Sequence, residues 1–202
     1  MKRALFILVS LISSANFAQE KPKLVVGIVV DQMKMEYLYR FSSDFSENGF
    51  KRLMSQGYTF HNTHYNYMPT YTAPGHASVY TGTTPAVHGI VGNDWFNKAT
   101  GKELYCTDDE SVSTLGDDSV NEGKMSPRNL QSSTMTDELK LSTNFKGKVI
   151  GISIKDRGAI LPAGHFADWA FGTAKQVLLF QVPIMVKNFP IGPHNSTQKR
   201  II

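Results

Sequence analysis

The unbroken apolar stretch LVVGIVV, Leu24 to Val30, closed by Asp31, constrains the fold more than any other feature of the chain. Branched apolar residues at consecutive rather than alternating positions read as a strand buried on both faces, and a parallel sheet between helix layers is what buries such a strand. Asp31 then falls at the strand's C-terminal edge, where α/β sheets usually place their sites.

The following segments agree with an α/β fold. MEYLYRF and ENGFKRLMSQG have helical spacing, the second with a stop at Gly57, and YTFHNTHYNY reads as a short strand running into a loop. PTYTAPGHASVYTG then predicts a turn over Pro69 to Thr72 and a helix over about 73–81, with Thr72 at the N-cap. Asn97 to Asn129 is polar, without periodicity, and reads as a surface excursion. A helix is expected over about 134–141. KVIGISIKDRG is expected to be a second strand that delivers Lys155 and Arg157 to its edge.

Both ends differ from this body. MKRALFILVSLISSANFA, residues 1–18, has a basic start, a short apolar run and a small-residue exit, the pattern of a cleaved secretory signal. The run is too short to span a bilayer, so the mature chain is expected to be periplasmic or secreted without stable membrane insertion, an uncleaved anchor being the alternative. The formal net charge is +4, yet six of the 21 Lys and Arg lie in the leader or after Phe171; the remaining 15 face 17 Asp and Glu, net −2. Such a body offers no electrostatic footprint for nucleic acid. Cys106 is the single cysteine, which excludes an intrachain disulfide, and it reads as a half-buried structural thiol.

Three groups could carry chemistry. Asp31 is a loop carboxylate or a metal ligand. Thr72 is a simple cap, or a nucleophile whose transferred anion gains from the helix N-terminus and whose hydroxyl a metal ion at Asp31 would acidify. Lys155 and Arg157, as i and i+2 residues of a strand, would project to one side and either be solvated or share an anion such as phosphate. His61, His64, His76 and His88 show no metal-binding spacing.

Taken together, VVGIVVDQM, PTYTAPGHASVYTG, AVHGIVGNDW, GKMSPRNLQSSTMTDELKLSTNF and VIGISIKDRGAILPAGHFADWA resemble, in order and spacing, the N-terminal part of the PafA-type periplasmic alkaline phosphatases. These are a monoesterase branch of the nucleotide pyrophosphatase/phosphodiesterase-like families in the alkaline phosphatase superfamily. The resemblance implies a three-layer, mostly parallel α/β sheet, incomplete in this chain, over residues 19–171. It also implies zinc-dependent hydrolysis of small phosphate monoesters through a phosphothreonine intermediate. By the same resemblance Thr72 is the nucleophile, Asp31 and Thr72 are zinc ligands, and Asn93 donates to a phosphoryl oxygen. Lys155 and Arg157 are the pair that marks monoesterases. The family's two-zinc site draws its other ligands from a C-terminal half with no counterpart here.

The resemblance stops at residue 171. The thirty-one residues that follow, 172–202, contain no acidic residue. Written as degenerate codons and read from each third base, Phe171 to Gly192 permits WYGKTGSFISSTYYGKELSDW, which resembles the family's continuation. Residues 172–202 are therefore expected to be a frameshifted reading of a longer gene, with a native alternative C-terminus as the other reading. Three functional expectations follow: a secreted phosphomonoesterase at the level of the gene, a phosphodiesterase of the same superfamily, or a non-catalytic fragment for the chain as written. Preferred substrate and oligomeric state are not legible.

Overall fold

A computed structural model of the chain describes residues 22–112, 123–173 and 179–182. The expected signal at 1–18 and most of the expected aberrant tail lie outside them. The chain divides into two compact units, Met1–Val30 and Asp31–Ile202.

In the first unit, residues 22–30 form neither helix nor strand, and Leu24 and Ile28 are each 78% exposed. The strand expected there is not observed. Apolar periodicity states what a segment could bury, whereas a central strand also needs hydrogen-bonding neighbours on both edges.

The second unit opens with two short helices, α1 (Glu36–Arg40) and α2 (Phe50–Gln56), the latter ending at Gly57 as expected. YTFHNTHYNY is loop throughout, so the short strand expected there is absent; Tyr58 and Phe60 pack on each other and stay exposed. Helix α3 (Thr72–Thr81) follows, then α4 (Pro85–His88), which has Pro85 in its first turn, where a missing N–H costs nothing. Strands β1 (Asp94–Asn97) and β2 (Lys102–Tyr105) form an antiparallel hairpin.

Helix α5 (Met135–Ser142) starts at a capping box: the Thr134 hydroxyl accepts from the Asp137 N–H, and the Asp137 carboxylate accepts from the Thr134 N–H. Strand β3 (Ile150–Ile152), helix α6 (Asp156–Ala163) and strand β4 (Trp169–Thr173) then make a β-α-β unit, with β3 and β4 parallel. Strand β5 (Leu179–Val182) adds antiparallel to β4, giving the order β3-β4-β5.

Helix α6 organises the core. Its Ala159, Ile160 and Ala163 pack with Val149, Ala167 and Ala170 on the sheet side. Its Leu161 packs on the other side with Ala73 and Ala77 of α3 and with Ile90, Cys106 and Leu130. Alanines on both helices permit a close approach, and each fully buried Leu or Ile contributes about 1.5–3 kcal/mol. Gly151 allows β3 to run directly under α6, because a Cβ there would meet the carbonyl oxygen of Ala159. Gly164 ends α6 at φ 78°, and a side chain on it would strike Thr134 and Asp137. Cys106, Thr107 and Asp109 are buried, so 97–129 is no mere surface excursion: its segment after β2 is part of the core, although its polar composition hid this.

Candidate active site

The packing of α3 on α6 sets the position of two helix starts, one carrying Thr72 and the other Arg157. Thr72 is the first residue of α3, and Tyr71, not Thr72, is its N-cap, with extended dihedrals and no side-chain capping bond. The Thr72 hydroxyl instead donates to Asp31 Oδ2 at 3.2 Å. In the first turn of the helix, the Ala73 N–H donates to Asn93 Oδ1 at 2.9 Å. Asn93 thus performs from outside the helix the capping that the sequence assigned to Thr72, and it leaves the threonine hydroxyl directed at a carboxylate. With its amide oxygen engaged, Asn93 presents its NH2 group as donor.

Lys155 and Arg157 do not sit on a strand edge. β3 ends at Ile152, Lys155 is the N-cap residue of α6, and Arg157 is the second residue of that helix. The expected placement of the pair on a strand edge is therefore corrected to the start of a helix, Lys155 with extended dihedrals just before it and Arg157 within its first turn. Lys155 is exposed and its ammonium makes no hydrogen bond or ion pair among the described residues. Arg157 Nη1 donates to the Tyr105 hydroxyl at 2.8 Å.

Asp31, Thr72 and Asn93 are therefore brought together, whereas no hydrogen bond joins them to Lys155 or Arg157. The two helix starts are linked through His76. Its Nδ1 donates to the Thr72 carbonyl at 2.8 Å, and its Nε2 lies 3.9 Å from where a Cβ on Gly158 would stand.

Two features resemble catalytic groups and are structural. Ser78 Oγ and His88 Nε2 lie 2.9 Å apart, but His88 Nδ1 accepts from Ile90 N–H, so Nε2 carries the proton and donates to the serine. Such an imidazole has no lone pair with which to take a serine proton, and burial pulls its pKa further down. Cys106 is fully buried rather than half-buried, and burial together with the Asp156 charge pushes its thiol up to about 12. It is inert as a nucleophile at ordinary pH.

Sequence reasoning missed the chain of contacts from Arg157 through Tyr105 and Asp156 to Thr107, and the pairing of buried Asp137 with partly buried His165. Only Asp137 had a local signal, the T-x-x-D pattern before an apolar helix.

No group of three or more His, Cys, Asp or Glu able to hold a metal ion occurs among the described residues. Asp31 and Thr72 fit one edge of such a site, because an exposed carboxylate and a hydroxyl converge within 3.2 Å. They supply two oxygens where zinc takes three or four protein ligands.

Residues 25–157 match the family model of type I phosphodiesterase / nucleotide pyrophosphatase. Among curated proteins, the chain is 59% identical over 152 residues to a "Calcium-transporting ATPase" of Myroides odoratus. It is 55% identical over 154 residues to "Alkaline phosphatase PafA" of Elizabethkingia meningoseptica. These alignments take in 75% and 76% of the chain but 28% of each relative. Among solved structures, wild-type alkaline phosphatase PafA superposes with a TM-score of 0.80 at 50% identity, covering 86% of this chain and 34% of that one. A PafA variant, with one threonine changed to serine and an asparagine, a lysine and an arginine changed to alanine, superposes equally well at 48% identity. The fold is that of the alkaline phosphatase superfamily, and the chain spans about a quarter to a third of the length of the proteins it matches.

Proposed function

Because the chain belongs to the type I phosphodiesterase / nucleotide pyrophosphatase family, we propose that it is the N-terminal part of an exported, zinc-dependent phosphomonoesterase that works through Thr72. One observation carries this reading. The threonine, asparagine, lysine and arginine replaced in the PafA variant follow one another at intervals of 21, 62 and 2 residues, and Thr72, Asn93, Lys155 and Arg157 repeat those intervals.

The contact of the Thr72 hydroxyl with Asp31 supports the following chemistry. Thr72 Oγ attacks phosphorus, the bond to the ester oxygen breaks, and the alcohol leaves with the phosphoryl group on Thr72. Water then attacks the same phosphorus, the bond to Oγ breaks, and inorganic phosphate departs with the hydroxyl restored. Bound zinc at Asp31 and Thr72 would lower the pKa of the hydroxyl and stabilise charge on the phosphoryl group, with its remaining ligands supplied from beyond the described residues. The Asn93 NH2 donates to a phosphoryl oxygen beside the start of α3. Lys155 and Arg157 meet terminal oxygens that a monoester carries and a diester masks, which argues against the phosphodiesterase alternative.

We infer further that residues 172–202 are a frameshifted reading, and the test uses the full-length protein made from a coding sequence with its frame restored near codon 171. Thr72→Ala is expected to lower hydrolysis of an aryl phosphate at least about a thousandfold while zinc content stays largely intact, because Asp31 still binds. Near-normal turnover in that variant would overturn the assignment of Thr72.

A further inference from the structure

Arg157 sits in a built environment that none of the other proposed site residues shares. Its Nη1 donates to the Tyr105 hydroxyl at 2.8 Å, and that hydroxyl donates to Asp156 Oδ1 at 2.9 Å. The other carboxylate oxygen, Oδ2, accepts from the hydroxyl of the fully buried Thr107. The guanidinium carbon lies 5.8 Å from the centroid of the Tyr105 ring, and Tyr105 itself packs against the cluster that joins α3 to α6. Among the described residues, Arg157 Nε is buried without an acceptor.

The direction of each bond is forced. A guanidinium can only donate, so the phenol oxygen accepts from it; an ionised carboxylate can only accept, so the phenol proton goes to Asp156. Thr107 occupies the second oxygen of Asp156. The carboxylate is thus held away from direct pairing with the adjacent arginine, although Asp–Arg pairing is among the strongest options open to either group. A neutral hydroxyl stands between the two charges. Among the described residues, Arg157 consequently keeps its second Nη1 hydrogen and the Nη2 group for another acceptor, and its orientation is set before that acceptor arrives. Burial and the Asp156 charge both raise the pKa of the Tyr105 hydroxyl, so it stays protonated and able to donate under alkaline conditions.

We propose that Tyr105, itself fixed by Asp156 and Thr107, is a positioning residue that aims the Arg157 guanidinium at the terminal phosphoryl oxygens while keeping Asp156 from neutralising it. The proposal rests on the reading of Arg157 as a phosphate contact, and the experiment separates the two. In the frame-restored full-length protein, Tyr105→Phe keeps the ring and removes the hydroxyl. It is expected to lower kcat/KM for an aryl phosphate monoester about 10- to 100-fold and to leave turnover of an aryl phosphodiester nearly unchanged. In an Arg157→Ala background the same substitution is expected to cost nothing further, because there is no guanidinium left to aim. Thr107→Val, which frees the second carboxylate oxygen, is expected to give a smaller loss of the same monoester-selective kind. If Arg157→Ala leaves monoester turnover intact, the reading of Arg157 itself fails. If Arg157→Ala impairs it but Tyr105→Phe does not, or Tyr105→Phe lowers both substrates equally or adds fully to Arg157→Ala, the positioning role is overturned.

Discussion

Residues 31–72 and residues 73–170 are both rich in apolar side chains, yet they are stabilised differently. Among the described residues every buried apolar side chain lies between Ala73 and Ala170, whereas α1 and α2 bury none. Ring contacts in the earlier segment, Tyr37–Phe41, Phe45–Phe50 and Tyr58–Phe60, join residues at most five positions apart. In the later one the decisive contacts span the chain: Arg157 to Tyr105 covers 52 positions and Asp156 to Thr107 covers 49. Local spacing is enough to wind a helix, but burial requires a partner surface, and α3, α6 and the sheet provide it for one another and not for α1 or α2.

The largest effect expected follows from this contrast. If the coding frame is restored near codon 171, the longer protein should cover the exposed aromatic and aliphatic surface of residues 31–72, with Leu53 at 66% and Phe60 at 75% exposure here. Purified side by side, the 202-residue chain is expected to bind a hydrophobic dye strongly and to show no zinc-dependent phosphatase activity above its Thr72→Ala control. The restored protein is expected to do the reverse. Zinc-stimulated phosphate release from the short chain would show that it completes the ligand set in some other way, through its tail or through a second copy.

The same contrast explains what was legible in advance. Helix α2 follows from helical spacing and the stop at Gly57, and α3 from the turn before it and the Pro and Gly in its first turn, all local features. The strand at Leu24–Val30 was misplaced because its pattern states a capacity for burial that the described chain does not use. Asp31, Thr72 and Asn93 could be named from motif resemblance, but the exchange of capping roles between Thr72 and Asn93 could not, since it depends on a contact across 20 positions. Lys155 and Arg157 were expected on a strand edge and stand instead at a helix start, because a strand ending at Ile152 and a helix starting at Asp156 leave only three residues in which to switch periods. Tyr105 had no signal at all: an aromatic at a strand end reads as packing until the arginine beside it is seen.

A second effect, smaller but still of orders of magnitude, sharpens the comparison inside the later region, where Lys155 is exposed and Arg157 is anchored. Replacing both by Ala in the restored protein is expected to lower monoester turnover by about a hundredfold or more and diester turnover far less. Of the two single variants, Arg157→Ala should carry the larger share, since a flexible, solvated ammonium loses more order on engaging an anion than a guanidinium already held by Tyr105. Equal losses on monoester and diester would show the pair to be structural, and an equal split between the two cations would show that anchoring confers no advantage.

The smallest effect concerns stability, and it belongs to the most buried ionic contact of the later region. His165 Nδ1 donates to Asp137 Oδ2 at 3.2 Å while Nε2 donates to the Leu130 carbonyl at 2.9 Å. Neither acceptor can return a proton, so the geometry requires the doubly protonated ring. Burial alone would pull the His165 pKa down, but the bond to the Asp137 carboxylate more than offsets this and raises it above its ordinary 6.5. For Asp137, burial pushes upward, and the bonds from His165, Thr134 and Phe166 outweigh it, so its pKa falls below 3.8. A raised histidine contributes stability that is complete below pH 6.5 and is lost as pH rises through its folded pKa; a depressed aspartate contributes stability that is complete above pH 3.8 and is lost as pH falls through its own. Both contributions are therefore whole only between about pH 4 and pH 6.5. His165→Gln keeps one donor and removes the charge, and it is expected to reduce stability by about 1–3 kcal/mol at pH 5.5, read from urea midpoints. As pH rises through the folded His165 pKa the gap between wild type and variant should narrow, because the neutral imidazole can then satisfy only one of its two acceptors. A gap that stays constant through that rise would mean that His165 holds this corner of α5 and α6 by shape rather than by charge.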